Sequence, residues 1–397
     1  MTTFKLARPL ALSMTGSLSV SGDVEFAEWR SEMTAATWRV IPASGQLADL
    51  DPRYNAAINP VYPSTPEWAG SGFGMPRMFN AWCGGCADQA GSIWWAPLQG
   101  GHTDYGGNEP YKIDLTAAAP EWVMVRPPSG AIGNTLTTKD SQEATGVYSD
   151  GQPRAVHSYN KPLYVPGDGP WLGVAGAAWF SGSNGLLAPL QIDPVTGLGT
   201  YGATISTSAP TVAATSGGGS CYDSTRHAIW FRVSGTGYIF KYDIAGDSWS
   251  REGGSLAGGS YVGMCYVEEQ DLIVLFDGST LRLYDPVAAT YTAPTVSGST
   301  TGASITGQAQ PWWTGADIAW WDNASNTTII SKLTPPSGDW KTNTWTLSSY
   351  TVDGSNAVTP TARNSNGTFG RFAYFPGLSG FFLLNSAEED AYFFALD

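Results

Sequence analysis

The chain has 397 residues, of which 14% are charged, with 48 Gly, 26 Pro, 17 Trp, 18 Tyr and 15 Phe. Few charges, many aromatics and frequent turn formers exclude a disordered chain and describe an all-β protein of short strands and tight loops. The formal charge of −14 leaves 20 Lys and Arg spread too thinly to track a phosphate backbone, which excludes nucleic acid; an acidic surface fits carbohydrate, protein or cation partners.

At the N-terminus, Lys5 and Arg8 precede no apolar run long enough for a secretory signal, and nothing approaches the roughly 20 apolar residues of a membrane span. The sequence therefore predicts no membrane insertion. Residues 3–20 read as extended and alternating, and residues 25–35 as one short helix. Together residues 1–35 form an N-terminal arm that either packs along the main fold or reaches a partner. The segment from 36 to 45, ATWRVIPASG, has the same form as PEWVMVRPPSG at 120–130, with Trp38 in the place of Trp122.

From residue 82 onward six units align. Each opens with a short strand carrying one aromatic near its end: Trp82, Tyr159, Tyr222, Tyr266, Trp320 and Tyr374. A turn then leads into a mostly apolar strand, at residues 92–98, 171–178, 227–233, 271–277, 327–333 and 380–386. Runs of this kind read as strands buried on both faces, as the middle strands of stacked propeller blades are. A third strand ends at Asp114, Asp193, Asp243 or Asp285, and an aromatic follows at short spacing: Trp122, Tyr201, Trp249 or Tyr291. An Asp that caps a turn through backbone N–H groups, followed by an aromatic that packs between blades, is the outer hairpin of a kelch-type blade.

The sixth unit stops at Asp397 with no fourth strand. The missing piece is the strand from Trp38 to Pro42, and borrowing it closes the ring. The expected architecture is a single all-β, kelch-like, six-bladed β-propeller over residues 36–397. Two places fit badly: unit 5 merges its outer strands around residues 335–345, and the connection from 127 to 153 is long. Five or seven blades remain alternatives.

The densest polar motif is GGHTDYGGNEPY at residues 100–111. His102, Asp104, Asn108 and Glu109 could gather at one mouth of the ring, joined by His157 from the next blade. Such a set suits a sugar or a divalent cation. The competing reading is that these side chains bond loop backbone and staple blade 1 to blade 2. Cys83 and Cys86 have redox or zinc spacing but lack two further ligands, because Cys221 and Cys265 occupy matching inner-strand positions. Copper oxidation of the galactose oxidase type needs two His and two Tyr ligands, which His102, His157 and His227 on different blades do not supply. Paired acids for glycoside hydrolysis would come from Asp104, Glu109, Asp223 and Asp317, though nothing pairs them. The Trp pairs 94–95, 312–313 and 320–321 are either sugar platforms or filling between blades. No metal or cofactor is expected.

The motifs GGHTDYGGNEPY and DGQPRAVHSYN (residues 150–160), within residues 37–180, resemble kelch-like proteins encoded among the virion and tail genes of tailed bacteriophages and prophages. The resemblance implies a tail-associated structural protein of the virion, assembled in the host cytoplasm, with no catalytic residues to carry over. Its partners would be other virion proteins, met through the N-terminal arm and one ring face, and a host-surface glycan. Alternatives are a carbohydrate-binding or carbohydrate-active propeller and a cytoplasmic interaction scaffold.

Overall fold

The structure, a computed structural model, describes residues 28–43, 45–51, 78–79, 82–97, 107–129, 147, 151–153, 155–174, 188–205, 217–233, 237–253, 258–299, 304–364 and 366–397. The extended arm expected over residues 3–20, the loop of His102 and Asp104, and most of the 127–153 connection lie outside these residues. A one-turn helix, α1 (Glu28–Ser31), precedes β1 (Trp38–Val40) and a 3-10 turn (Leu47–Leu50). Blade 1 holds β2 (Cys86–Asp88), β3 (Ile93–Ala96), β4 (Tyr111–Asp114) and β5 (Trp122–Met124). Blade 2 holds β6 (Pro162–Val165), β7 (Gly169–Leu172), β8 (Leu190–Ile192) and β9 (Gly199–Tyr201).

Blade 3 follows with β10 (Gly219–Asp223), β11 (Ala228–Arg232), β12 (Ile239–Asp243) and β13 (Ser248–Arg251). Blade 4 has β14 (Val262–Val267), β15 (Leu272–Asp277), β16 (Thr280–Asp285) and β17 (Thr290–Thr292). Blade 5 comprises β18 (Val296–Gly298), β19 (Trp312–Trp313), β20 (Ile318–Trp320), β21 (Ser331–Thr334) and β22 (Trp345–Ser349). Blade 6 has β23 (Phe372–Phe375), β24 (Gly380–Leu383) and β25 (Tyr392–Ala395). Each sheet is an antiparallel meander, except that β18 adds in parallel outside β22. The described residues thus form a six-bladed β-propeller, and β1 completes its last blade beside β25.

The turn chemistry behaves as expected. Asp114 Oδ1 accepts from the Thr116 N–H at 2.8 Å, and Asp193 from those of Val195 and Thr196 at 2.9 and 2.6 Å. Asp243 takes the Gly246 N–H at 3.1 Å, and Asp285 those of Val287 and Ala288 at 2.9 Å. The core lies in slabs between successive blades. Trp171 meets Tyr242 across blades 2 and 3, Phe276 meets Trp320 edge-on at 4.8 Å across blades 4 and 5, and Trp94 stacks on Phe382 at 5.1 Å across blades 1 and 6. All six residues of β15 are buried, as a strand pressed from both sides must be.

Blade 5 departs from the expected alignment by one strand. Residues 327–333 contribute β21, the third strand, and Trp320 ends β20, the second. The true first strand, β19, has only two residues, too few to show a period. Its register places Trp312 opposite Ala319, where Tyr222 and Tyr266 stand in blades 3 and 4. Trp82 and Tyr159 also lie ahead of β2 and β6 rather than near their ends. Both hold left-handed backbone (φ 57° and 50°), as does Phe369 (φ 50°) ahead of β23. These aromatics mark the crossings between blades, and Ala87 and Tyr164 occupy the strand position instead.

At the seam Trp38, Arg39 and Val40 pair with Phe394, Phe393 and Tyr392. The ladder extends beyond the strand: Ala36 N–H donates to Ala395 O and Ile41 N–H to Ala391 O, each at 2.9 Å. Trp29 in α1 is buried edge-on against Phe393 at 5.3 Å. Arg30 is buried too, donating to Leu378 O at 2.6 Å and to Asp397 Oδ1 at 3.2 Å. The final aspartate is thus held by the N-terminal segment, and residues 28–35 pack on the ring.

Truncating one buried Trp costs about 3–5 kcal/mol and one Ile about 2–5 kcal/mol. Removing Trp29, Trp38 and Ile41 together therefore rivals the 5–15 kcal/mol that roughly holds a domain folded. Deletion of residues 1–45 is expected to abolish a cooperative melt, whereas deletion of residues 1–22 leaves it intact. An undiminished melt for the longer deletion would refute the seam.

Candidate functional site

Among the residues expected to form a site, Asn108, Glu109 and His157 are described and buried. Asn108 serves the backbone and the neighbouring loop. Its amide donates to Ser129 Oγ at 2.9 Å and to Pro153 O at 2.7 Å, and its Oδ1 accepts the Ser129 N–H at 2.8 Å. Glu109 accepts the Tyr111 hydroxyl at 2.7 Å, and the His157 ring lies 5.0 Å from Trp82 and 5.8 Å from Tyr159. Asn108 thereby staples blade 1 to the approach to blade 2.

Two more of the four acids considered for hydrolysis, Asp223 and Asp317, are engaged structurally. Asp223 is fully buried and accepts from Trp230 Nε1 and Arg226, each at 2.9 Å; Asp317 pairs with Lys332 at 3.0 Å. Cys83 and Cys86 part company, because Cys83 Sγ points to Val156 O at 3.8 Å while Cys86 faces the axis. Among the described residues no group of three or more His, Cys, Asp or Glu could hold a metal ion. Of the three Trp pairs, 94–95 and 320–321 are buried; Trp312 and Trp313 remain partly exposed.

The structure adds an axial cavity of about 420 Å³ bounded by the inner strands of blades 1 to 5. Ser220 and Met264, in the first halves of β10 and β14, and Gln310, two residues ahead of β19, line the end nearest Asn160. Cys86, Cys221 and Cys265 form the next tier. Tyr164, Tyr222, Tyr266, Trp312 and Trp313 follow, and Asp88, Glu268 and Glu269 stand at the turns between first and second strands. Burial pushes the Cys86 and Cys221 thiols well up, and lifts Tyr164 and Tyr266 to about 12. These thiols and phenols are therefore neutral at neutral pH. The cysteine tier was readable in sequence: Cys86–Ala87–Asp88 takes the same register as Cys221–Tyr222–Asp223.

The other end of the axis is closed by the HSYN segment. Asn160, at the start of blade 2, donates its side-chain amide to Val262 O at 2.9 Å and to Gly307 O at 2.7 Å. Val262 begins blade 4 and Gly307 leads into blade 5, so these bonds must cross the axis. The Asn160 carbonyl also accepts the Ser220 N–H of blade 3 at 2.9 Å. Beside it, Tyr159, Tyr261 and Phe369 form an aromatic plug with ring centres 5.7–6.1 Å apart. Among the described residues the cavity is therefore closed at this end and opens on the face of the short first-to-second-strand turns. The loop of Asn108 and Glu109 joins second to third strand and lies on the opposite face.

No protein-family model and no curated protein matches this sequence. Among the described residues no helix is long and apolar enough to cross a membrane.

Losing the Asn160 amide leaves two buried carbonyls unpaired at about 1–3 kcal/mol each. Asn160→Ala is therefore expected to lower stability by about 2–5 kcal/mol in urea unfolding, and a loss under about 1 kcal/mol would mean that the axial staple is dispensable.

Lys161, the next residue, is fully buried, with Nζ 5.4 Å from the Tyr159 ring centre. Burial draws its pKa from 10.5 down to about 7, partly opposed by Cys83. Between those values the unfolded chain binds a proton that the folded chain does not, so stability from this group rises with pH. The stability of the wild type relative to Lys161→Met is expected to improve from pH 7 to 9, measured by urea midpoints; an unchanged difference would show that Lys161 does not titrate there.

Proposed function

We propose that this chain is a tail-associated structural ring of a tailed-phage particle, docked through its N-terminal segment and short-turn face and presenting its opposite face for host-surface contact. The observation that carries this reading is the resemblance of GGHTDYGGNEPY and DGQPRAVHSYN to phage virion proteins; the unequal faces of the ring support it. First-to-second-strand turns are uniformly short, with three residues between β6 and β7 and four between β10 and β11. Second-to-third-strand connections on the other face are much longer in blades 1 and 2, where they run from Ala96 to Tyr111 and from Leu172 to Leu190. Recognition concentrates on long loops held by a rigid scaffold.

Glu28 begins the described chain beside the 376–378 turn of blade 6, since Arg30 bonds Leu378 O and Ser379 O. Residues 28–31 therefore sit beside a first-to-second-strand turn, on the short-turn face. Such a ring needs no chemistry of its own: its work is rigidity, and slabs of interlocked aromatics between blades supply it.

Mass spectrometry and electron microscopy of particles from the source are expected to find the chain on the tail in fixed copy number, with the long-loop face outward. Particles that lack it would overturn this reading.

A further inference from the structure

We propose that the axial cavity is a binding site for an alkylammonium group, held between the aromatic tier and the carboxylates at the mouth. The proposal rests on the cavity alone and is independent of where the ring is assembled. Its lining contains no Lys, Arg or His, yet three carboxylates, Asp88, Glu268 and Glu269, stand at the rim. Among the described residues none of the three has an ion-pair partner. Their contacts are neutral donors: Gly91 N–H to Asp88 at 3.0 Å, Ser224 Oγ to Glu268 at 2.7 Å and Trp313 Nε1 to Glu269 at 3.1 Å.

Below the rim stand the partly exposed rings of Tyr164, Tyr222, Tyr266, Trp312 and Trp313. Two of the hydroxyls are drawn outward, Tyr266 donating to Asp271 at 2.8 Å and Tyr222 meeting His227 Nδ1 at 2.9 Å, while that of Tyr164 bonds the rim carboxylate of Asp88. What such rings offer a ligand is π-surface, which attracts a desolvated cation. At the cavity floor Gln310 donates its amide N–H to Met264 O, but its buried Oε1 accepts nothing. That acceptor calls for a donor from a ligand, independently of the carboxylates.

An alkylammonium meets the rim charge and the π-surface at once, and the Gln310 acceptor is left for a second donor on the same ligand, such as an amide N–H or a hydroxyl. A neutral sugar would stack on the rings but leave the rim charge uncompensated, and an anion would meet repulsion throughout. A net charge of −14 further favours the approach of a cation. The ammonium could belong to a lysine side chain of a docking protein or to an amino sugar; the chemistry at the cavity is the same.

The test is isothermal titration of the full chain at low salt with n-butylammonium, tetramethylammonium, Nα-acetyl-lysine amide and glucosamine, against n-pentanol and glucose as neutral counterparts. At least one cation is expected to bind tenfold or more tightly than its neutral counterpart, and the lysine and glucosamine arms identify the source. Glu268→Gln combined with Glu269→Gln, at exposed rim positions, should weaken that binding at least tenfold with an unchanged melt. Absence of binding by all four cations, equal affinity for the neutral counterparts, or equal affinity of the double variant would each overturn the proposal.

Discussion

Everything in this ring depends on the hydrogen-bond ladder between β1 and β25. Five blades are built from contiguous chain, so their sheets assemble from local hairpins. The sixth is not, and without β1 the β25 edge and the slab behind Trp38 would face water. Because each slab packs against the next, loosening one blade loosens its neighbours around the circle. The buried Arg30, bonded to the 376–379 turn and the terminal aspartate, fastens the same seam from outside. Burial lowers its pKa and Asp397 counteracts this, the expected balance for a guanidinium committed to backbone acceptors.

A second constraint acts at the axis. Six wedges meeting around a line leave a channel, and this chain stops one end of it with the Asn160 amide and the rings of Tyr159, Tyr261 and Phe369. Asn160 touches blades 3, 4 and 5 from blade 2, so it fixes their relative rotation as well as closing the floor. Elsewhere at the centre, close approach is secured by glycine: a Cβ on Gly370 would run into Gly85 O where blades 6 and 1 meet.

The fold was legible because its signals repeat. Four aspartates at the outer hairpins and Trp38 as a counterpart of Trp122 carry blade identity and closure with little dependence on distant contacts. Blade 5 misled because β19 is two residues long and its strong apolar run belongs to the third strand. The site was less legible, since polar density in a glycine-rich loop drew attention to Asn108, which bonds Ser129 and Pro153, and to His102 and Asp104, which lie outside the described residues. The axial cavity is assembled from five inner strands, each contributing two or three residues spaced 40 to 80 positions apart. No local pattern records that convergence; only the shared register of Cys86, Cys221 and Cys265 hints at it.

The seam also sets the order of events during biosynthesis. Trp38 must wait for Phe394, roughly 350 residues later, and at about 5–20 residues per second that interval is on the order of half a minute. During it the β1 edge, with Trp29 and Trp38 beside it, has no native strand to pair with. An unpaired edge flanked by large apolar side chains invites intermolecular pairing. A nascent chain of this design is therefore most exposed to mispairing until residues 391–397 have emerged from the ribosome, while five blades can stand and the last cannot close.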